Sequence, residues 1–189
     1  CRNLHTLHLR FCTGLTDAQV SALMRSPGMR ELNLTGCRQL TDDAISGGEV
    51  SLMESLNLIG CTELTDVGLA AVVHYHPRLN TLELQCRLTS VDILGRCKHL
   101  HTLYITGCDL LTTVDMLGGC ENLHALDLSH CRNLLSVQGL EQCRNLHTLH
   151  LRFCKRLTDA QVSALMRRPG MRELNLNGCS QLTDDAISG

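Results

Sequence analysis

The stretch from Leu123 to Leu134, L-H-A-L-D-L-S-H-C-R-N-L, follows the pattern L-x-x-L-x-L-x-x-C-x-x-L. With Met or Ile allowed for Leu, that pattern occurs eight times, once in shortened form. Its centre alternates apolar and polar residues, the period-two signature of a strand with one buried face. Three leucines on one short strand make no core of their own. Burying each contributes roughly 1.5–3 kcal/mol, whereas fixing each residue's backbone costs about 1–2 kcal/mol, so a lone repeat has no net stability. The repeats must therefore stack on one another, and the whole chain, residues 1–189, is expected to form a single elongated domain with a continuous core.

The first apolar residue of each repeat falls at Leu4, Met29, Met53, Leu79, Leu100, Leu123, Leu146 and Met171. In the first, second, third, seventh and eighth repeats the closing leucine is followed by Thr-Asp, as in Thr16-Asp17, Thr41-Asp42, Thr65-Asp66, Thr158-Asp159 and Thr183-Asp184. We read these as helix starts. Thr16 to Gln19 and Thr158 to Gln161 fit the capping box, in which Thr and Gln side chains satisfy two backbone N–H groups. Val20, Leu23 and Met24 then share one helical face, and Pro27, Pro77 and Pro169 mark the stops. The fourth to sixth repeats are shorter, leaving room for a 3₁₀ turn or an extended segment. Between Leu84 and Leu88 the fourth repeat has two residues fewer than its neighbours, so a kink or reshaped loop is expected there.

Twelve cysteines would suggest a disulfide scaffold in a short secreted chain, but their placement argues otherwise. Cys12, Cys37, Cys61, Cys108, Cys131, Cys154 and Cys179 hold one position after the strand, where a thiol can donate weakly to a neighbouring carbonyl. Cys1, Cys97, Cys120 and Cys143 each precede a repeat's first leucine by three residues, and Cys86 alone is irregular. Free thiols in such number point to a reducing compartment, cytoplasmic or nuclear.

This pattern resembles the leucine-rich repeat family, in particular its cysteine-containing class, similar to F-box-type and ribonuclease-inhibitor-like repeats. The resemblance implies an α/β solenoid of about eight repeats, curved into a horseshoe arc. Its parallel sheet would be concave, with short helices or 3₁₀ turns on the convex side. It also implies binding of a protein or peptide partner on the concave face. An F-box-type ubiquitin ligase's substrate-recognition part is the second reading, with ligase components bound through sequence outside this chain. A third is an architectural spacer without specific ligand.

A longer period overlies the first. Residues 1–47 recur as residues 143–189 with five differences: Thr13/Lys155, Gly14/Arg156, Ser26/Arg168, Thr35/Asn177 and Arg38/Ser180. No core position differs, so the seventh and eighth repeats copy the first and second. The ends lack the polar capping segments that solenoids normally carry, and the chain is expected to be part of a longer array.

The residues between the leucines should face outward from the concave sheet. They give the columns His8, Asn33, Asn57, Glu83, Tyr104, Asp127, His150, Asn175 and, further along, Phe11, Gly36, Gly60, Gly107, His130, Phe153, Gly178. The richest patch is Tyr104, Asp127, His130, His150, Arg152 and Phe153, since aromatic and Arg residues are the usual anchors of interfaces. The duplication repeats part of it as His8, Arg10 and Phe11. Six strand spacings of about 4.8 Å separate the copies by roughly 30 Å, which a multivalent partner could span.

The net charge of −2, with both signs interspersed, and only four aromatic residues offer neither a basic stripe nor a base-stacking platform for nucleic acid. No apolar run reaches the roughly 20 residues of a membrane span. Neither cofactor nor metal is expected. His101, His124 and His147 form a column but lack a placed carboxylate or Cys to complete a closed site. Asp127 beside His150 suggests a dyad, yet no nucleophile or water-excluding pocket accompanies it, so no enzymatic activity is expected. The chain should be a monomer, with at most weak end-to-end stacking.

Overall fold

The computed structural model describes residues 3–47 and 50–186. Cys1 and the closing Ile187 to Gly189, which bear on the cysteine columns and on end capping, lie outside the described residues. Eight short strands follow one another: β1 (Thr6–His8), β2 (Glu31–Asn33), β3 (Ser55–Ile59), β4 (Thr81–Gln85), β5 (Thr102–Ile105), β6 (Ala125–Asp127), β7 (Thr148–His150) and β8 (Glu173–Asn175). They form one parallel sheet in sequence order. The register aligns equivalent residues of adjacent repeats, as in Leu7↔Leu32, Leu82↔Leu103 and Leu126↔Leu149. Leu32, Leu82, Leu103 and Leu149 are completely buried, whereas Leu7 and Leu174, at the two edges of the sheet, are only partly covered.

The returns on the other side are of two kinds. Helices α1 (Asp17–Met24), α2 (Asp66–Tyr75) and α3 (Asp159–Met166) serve the first, third and seventh repeats. The anticipated capping box is formed at Thr16, with Thr16 N–H donating to Gln19 Oε1 at 2.9 Å. It recurs at Thr158, with the N–H reaching Gln161 Oε1 at 3.0 Å. The fourth, fifth and sixth repeats return through 3₁₀ turns, Asp92–Arg96, Asp115–Gly119 and Gln138–Gln142. The second and eighth repeats depart from the expected helices, with one 3₁₀ turn each, Asp42–Ala44 and Asp184–Ala186. In the second the reason is local: Gly47, at φ +102°, takes a conformation that ends helical propagation almost as soon as it begins.

Two ladders of side-chain bonds tie neighbouring repeats together. The Asp of four Thr-Asp pairs, Asp17, Asp42, Asp66 and Asp159, reaches forward to the next repeat. Asp17 accepts the N–H and hydroxyl of Thr41 at 3.0 and 2.7 Å, and Asp42 those of Thr65 at 2.9 and 2.6 Å. Asp66 does the same for Thr89 and Asp159 for Thr183. Thr-Asp thus works between repeats as well as at the helix start. The thiols reach backward: Cys37, Cys61, Cys131, Cys154 and Cys179 donate to carbonyls at the strand ends of the preceding repeat at 2.9–3.3 Å. Cys120 and Cys143 form a parallel series on the carbonyls of Leu94 and Leu117. Burial pushes the Cys143 thiol up to about 11 and the Cys120 thiol up to about 12. All the cysteines among the described residues are free.

Candidate functional site

The strand register places the central column in one row, Glu83↔Tyr104, Tyr104↔Asp127, Asp127↔His150 and His150↔Asn175. Four members of the whole column have a structural task. A side-chain oxygen of Asn33, Asn57, Asp127 and Asn175 accepts the backbone N–H two residues on, at 2.7–3.1 Å. This bond turns the chain at the strand's end, as Asn and Asp commonly do. His8, Glu83, Tyr104 and His150 make no such bond and project from the sheet without that duty.

His150 lies between two carboxylates, with Nδ1 3.6 Å from Asp127 Oδ2 and Nε2 3.0 Å from Glu173 Oε1. Its copy, His8, stands 3.9 Å from Glu31 in the equivalent place. Glu83, which the sequence reading left out of the patch, joins it beside Tyr104. Burial pushes its carboxyl above the usual range against the lowering effects of Arg10 and of the bond from Asn57 Nδ2 at 2.7 Å.

The second column carries the main surprise. Gly36, Gly60, Gly107 and Gly178 have φ between +66° and +77°, a region suited to glycine. Phe11, His130 and Phe153 occupy the same conformation, at φ +58°, +64° and +57°. For a side chain with a Cβ this costs roughly 1–2 kcal/mol. His130 and Phe153 stack with centroids 4.7 Å apart and planes at 24°, and the Arg152 guanidinium lies 5.9 Å from the Phe153 ring centre. Arg10 and Phe11 repeat the cation–ring contact at 5.9 Å. Each Phe ring rests on the glycine of the next repeat, so closely that a Cβ on Gly36 or Gly178 would collide with it. The phenylalanines do pack over the adjoining loop, yet Phe11 remains 67% exposed. Ser129, in the row between Asp127 and His130, is buried with its hydroxyl unpartnered.

Tyr104, Asp127, His130, His150, Arg152 and Phe153 therefore converge over β5 to β7, and His8, Arg10 and Phe11 lie together six repeats earlier. On the opposite rim, the His101 and His124 rings stack at 5.0 Å and His147 meets His124 edge-on at 5.4 Å. Nδ1 of His101 and of His124 lies against a backbone carbonyl, His99 O and Asn122 O, at 2.7 and 2.6 Å. Among the described residues, no three His, Cys, Asp or Glu side chains come together as a metal site would require, and no helix is long and apolar enough to cross a membrane.

The family model described as Leucine Rich repeat matches residues 1–24 and 142–166, the first and seventh repeats. No curated protein matches the chain in sequence. Among solved structures, internalin C2 of Listeria monocytogenes is similar with a TM-score of 0.69 at 22% identity, over 93% of this chain and 72% of that one. The leucine-rich repeat-containing protein LegL7 of Legionella pneumophila gives 0.53 at 15% identity, over 92% and 65%. A chain of the mouse RP105/MD-1 complex gives 0.52 at 20% identity, over 80% and 30%. The chain spans less than two thirds of the length of the last two. Eight registered leucine strands in one parallel sheet, their short returns, the two matched repeats and the shared fold lead to one assignment: the chain folds as a leucine-rich repeat solenoid.

Proposed function

We propose that the chain is a non-enzymatic interaction scaffold that binds a protein or peptide on the sheet face, through Tyr104, Asp127, His130, His150, Arg152 and Phe153. The observation that carries this reading is the left-handed backbone of His130 and Phe153, where other repeats use glycine. Backbone strain of this kind persists where the surroundings hold it and clusters at binding sites. Here it presents a stacked aromatic pair beside a guanidinium, the residue types that dominate interface energetics. Asp127 and Glu173, on either side of His150, add polar groups that fix a ligand's register more than its affinity. His8, Arg10 and Phe11 form the second, smaller copy of the site.

The test is a peptide-display selection on the chain, followed by calorimetric titration of the selected peptide. Tyr104→Ala, Arg152→Glu and Phe153→Ala are each expected to weaken binding, with Phe153→Ala losing at least about tenfold, as interface anchors do. Undiminished affinity in all three variants, with folding retained, would refute the site. Failure to select any peptide would favour the spacer reading.

A further inference from the structure

The second column skips one repeat. From Phe11 to Gly178 it has a member in seven of the eight repeats, and the fourth has none. The cause lies in the sequence: the stretch from Leu84 to Leu88 is two residues shorter than its counterpart from Leu58 to Leu64. Elsewhere the column is filled, with the Phe11 ring on Gly36, the Phe153 ring on Gly178, and Gly60 against Gly36. Across the gap, a Cβ on Gly60 would meet nothing of the fourth repeat within 4 Å, and one on Gly107 would meet the Gln85 side chain. The vacated position is a cleft of about 360 Å³ between these two glycines, walled by Arg38, Thr62, Gln85, Cys86 and Arg87. Its walls therefore carry two guanidinium groups and no carboxylate. Among the described residues, neither the Arg38 nor the Arg87 side chain has a hydrogen-bond or ion-pair partner, whereas Arg30 is paired with Glu54 and Lys98 with Glu121. The Thr62 hydroxyl and the Gln85 amide are likewise uncommitted.

We propose that this cleft is an oxyanion site that receives the phosphoryl or carboxylate group of a partner's side chain. Each guanidinium offers a planar fork of donors matched to such a group, and the hydroxyl and the amide supply further single donors. Positive charge that the chain itself leaves unanswered, and donors without acceptors, are what an oxyanion satisfies through charge-assisted hydrogen bonds. The two glycines keep the entrance free of side chains. The cleft also lies in line with the aromatic pair. Two strand spacings, about 10 Å, separate the fourth repeat from His130 in the sixth, a distance that about three residues of extended peptide span. A peptide seated on His130 and Phe153 thus reaches the cleft with an anionic residue about three positions away. That reach rests on the proposed binding face; the chemistry of the cleft does not.

The experiment is an amide NMR titration of the folded chain at constant pH and ionic strength. The probes are N-acetyl-phosphoserine amide, N-acetyl-glutamate amide and inorganic phosphate, with sodium chloride as the control. The expected result is a saturable shift of the Gly60, Thr62, Gln85 and Gly107 amides with a side-chain probe and none with chloride; the tighter of the two side-chain probes names the group. Arg38→Gln and Arg87→Gln should each weaken that probe at least about tenfold, as loss of a charge-assisted contact does. Arg132→Gln changes an arginine that also follows a cysteine but lies outside the cleft, and should leave the affinity as it was. The spectra of the variants report their folding directly. The probes are too small to reach the aromatic pair, so failure here and failure of the peptide-binding face are separate results. Absence of saturation with both side-chain probes, or equal weakening by Arg132→Gln, would overturn the site. Tighter binding of inorganic phosphate than of either side-chain probe would overturn its assignment to a partner.

Discussion

Acidification should weaken this fold through a single imidazole. His76 closes α2 at 2% exposure, with Nδ1 2.6 Å from Ser51 Oγ and Nε2 buried without a partner. Ser51 is itself committed: its hydroxyl oxygen accepts Met53 N–H at 3.2 Å, and its own N–H donates to Tyr75 O at 2.8 Å. A proton added to His76 brings a charge into a site with no carboxylate to receive it. Burial accordingly lowers this group from the ordinary 6.5 to about 4. The unfolded chain takes up the proton first as pH falls, so stability is full above pH 6.5 and is lost progressively toward pH 4. The gap is worth about 3 kcal/mol in total, with about 2 kcal/mol already gone at pH 5. The assay is urea unfolding followed by circular dichroism between pH 8 and pH 4, comparing the wild type with His76→Gln. The variant should start less stable and show a shallower decline over this range, so that the curves converge on acidification. Parallel curves would refute the reasoning, as would a His76 imidazole resonance that titrates in the native protein near 6.5.

Other perturbations test the ladders and the strained column. Asp42→Ala removes the acceptor of Thr65 and of Gly68 N–H at 3.0 Å, and should cost about 2–3 kcal/mol in urea unfolding, whereas Asp43→Ala should cost under about 0.5 kcal/mol. Gly139→Ala would drive a Cβ into the backbone carbonyl of Asp115, and a loss of about 1–3 kcal/mol or more is expected, read as a lower melting temperature. Phe11→Gly should leave the chain as stable or up to about 1 kcal/mol more stable, because it relieves a left-handed backbone while removing a mostly exposed ring; clear destabilisation in calorimetry would count against strain at that position.

The leucine spacing makes the sheet, its order and its buried face legible, because a period of two on so short a segment has one way to find a core. The capping boxes at Thr16 and Thr158 were equally plain. Thr41 and Thr183 precede only 3₁₀ turns although they carry the same Thr-Asp as Thr16, Thr65 and Thr158, and nothing in the dipeptide sets how far a helix runs. In the site, the column from Tyr104 to His150 followed from register alone. The Asn and Asp members concealed a local turn bond that only backbone geometry reveals. The glycines opposite Phe11 and Phe153 were visible as letters, and in hindsight their alternation with His130 signalled a left-handed position.

The Asp bonds run forward from one repeat to the next, and the thiol bonds run back. Each of these bonds is therefore made by two adjacent repeats and no third. The sixth repeat already accepts a first-type neighbour, since Cys154 bonds Leu128 O and Arg168 Nη1 reaches Leu140 O at 2.7 Å. Length then becomes an editable property, like the number of cars in a train that can be parted at one matching coupling. Splicing a further six-repeat unit at that junction should yield a longer arc that carries the aromatic patch at a fixed pitch.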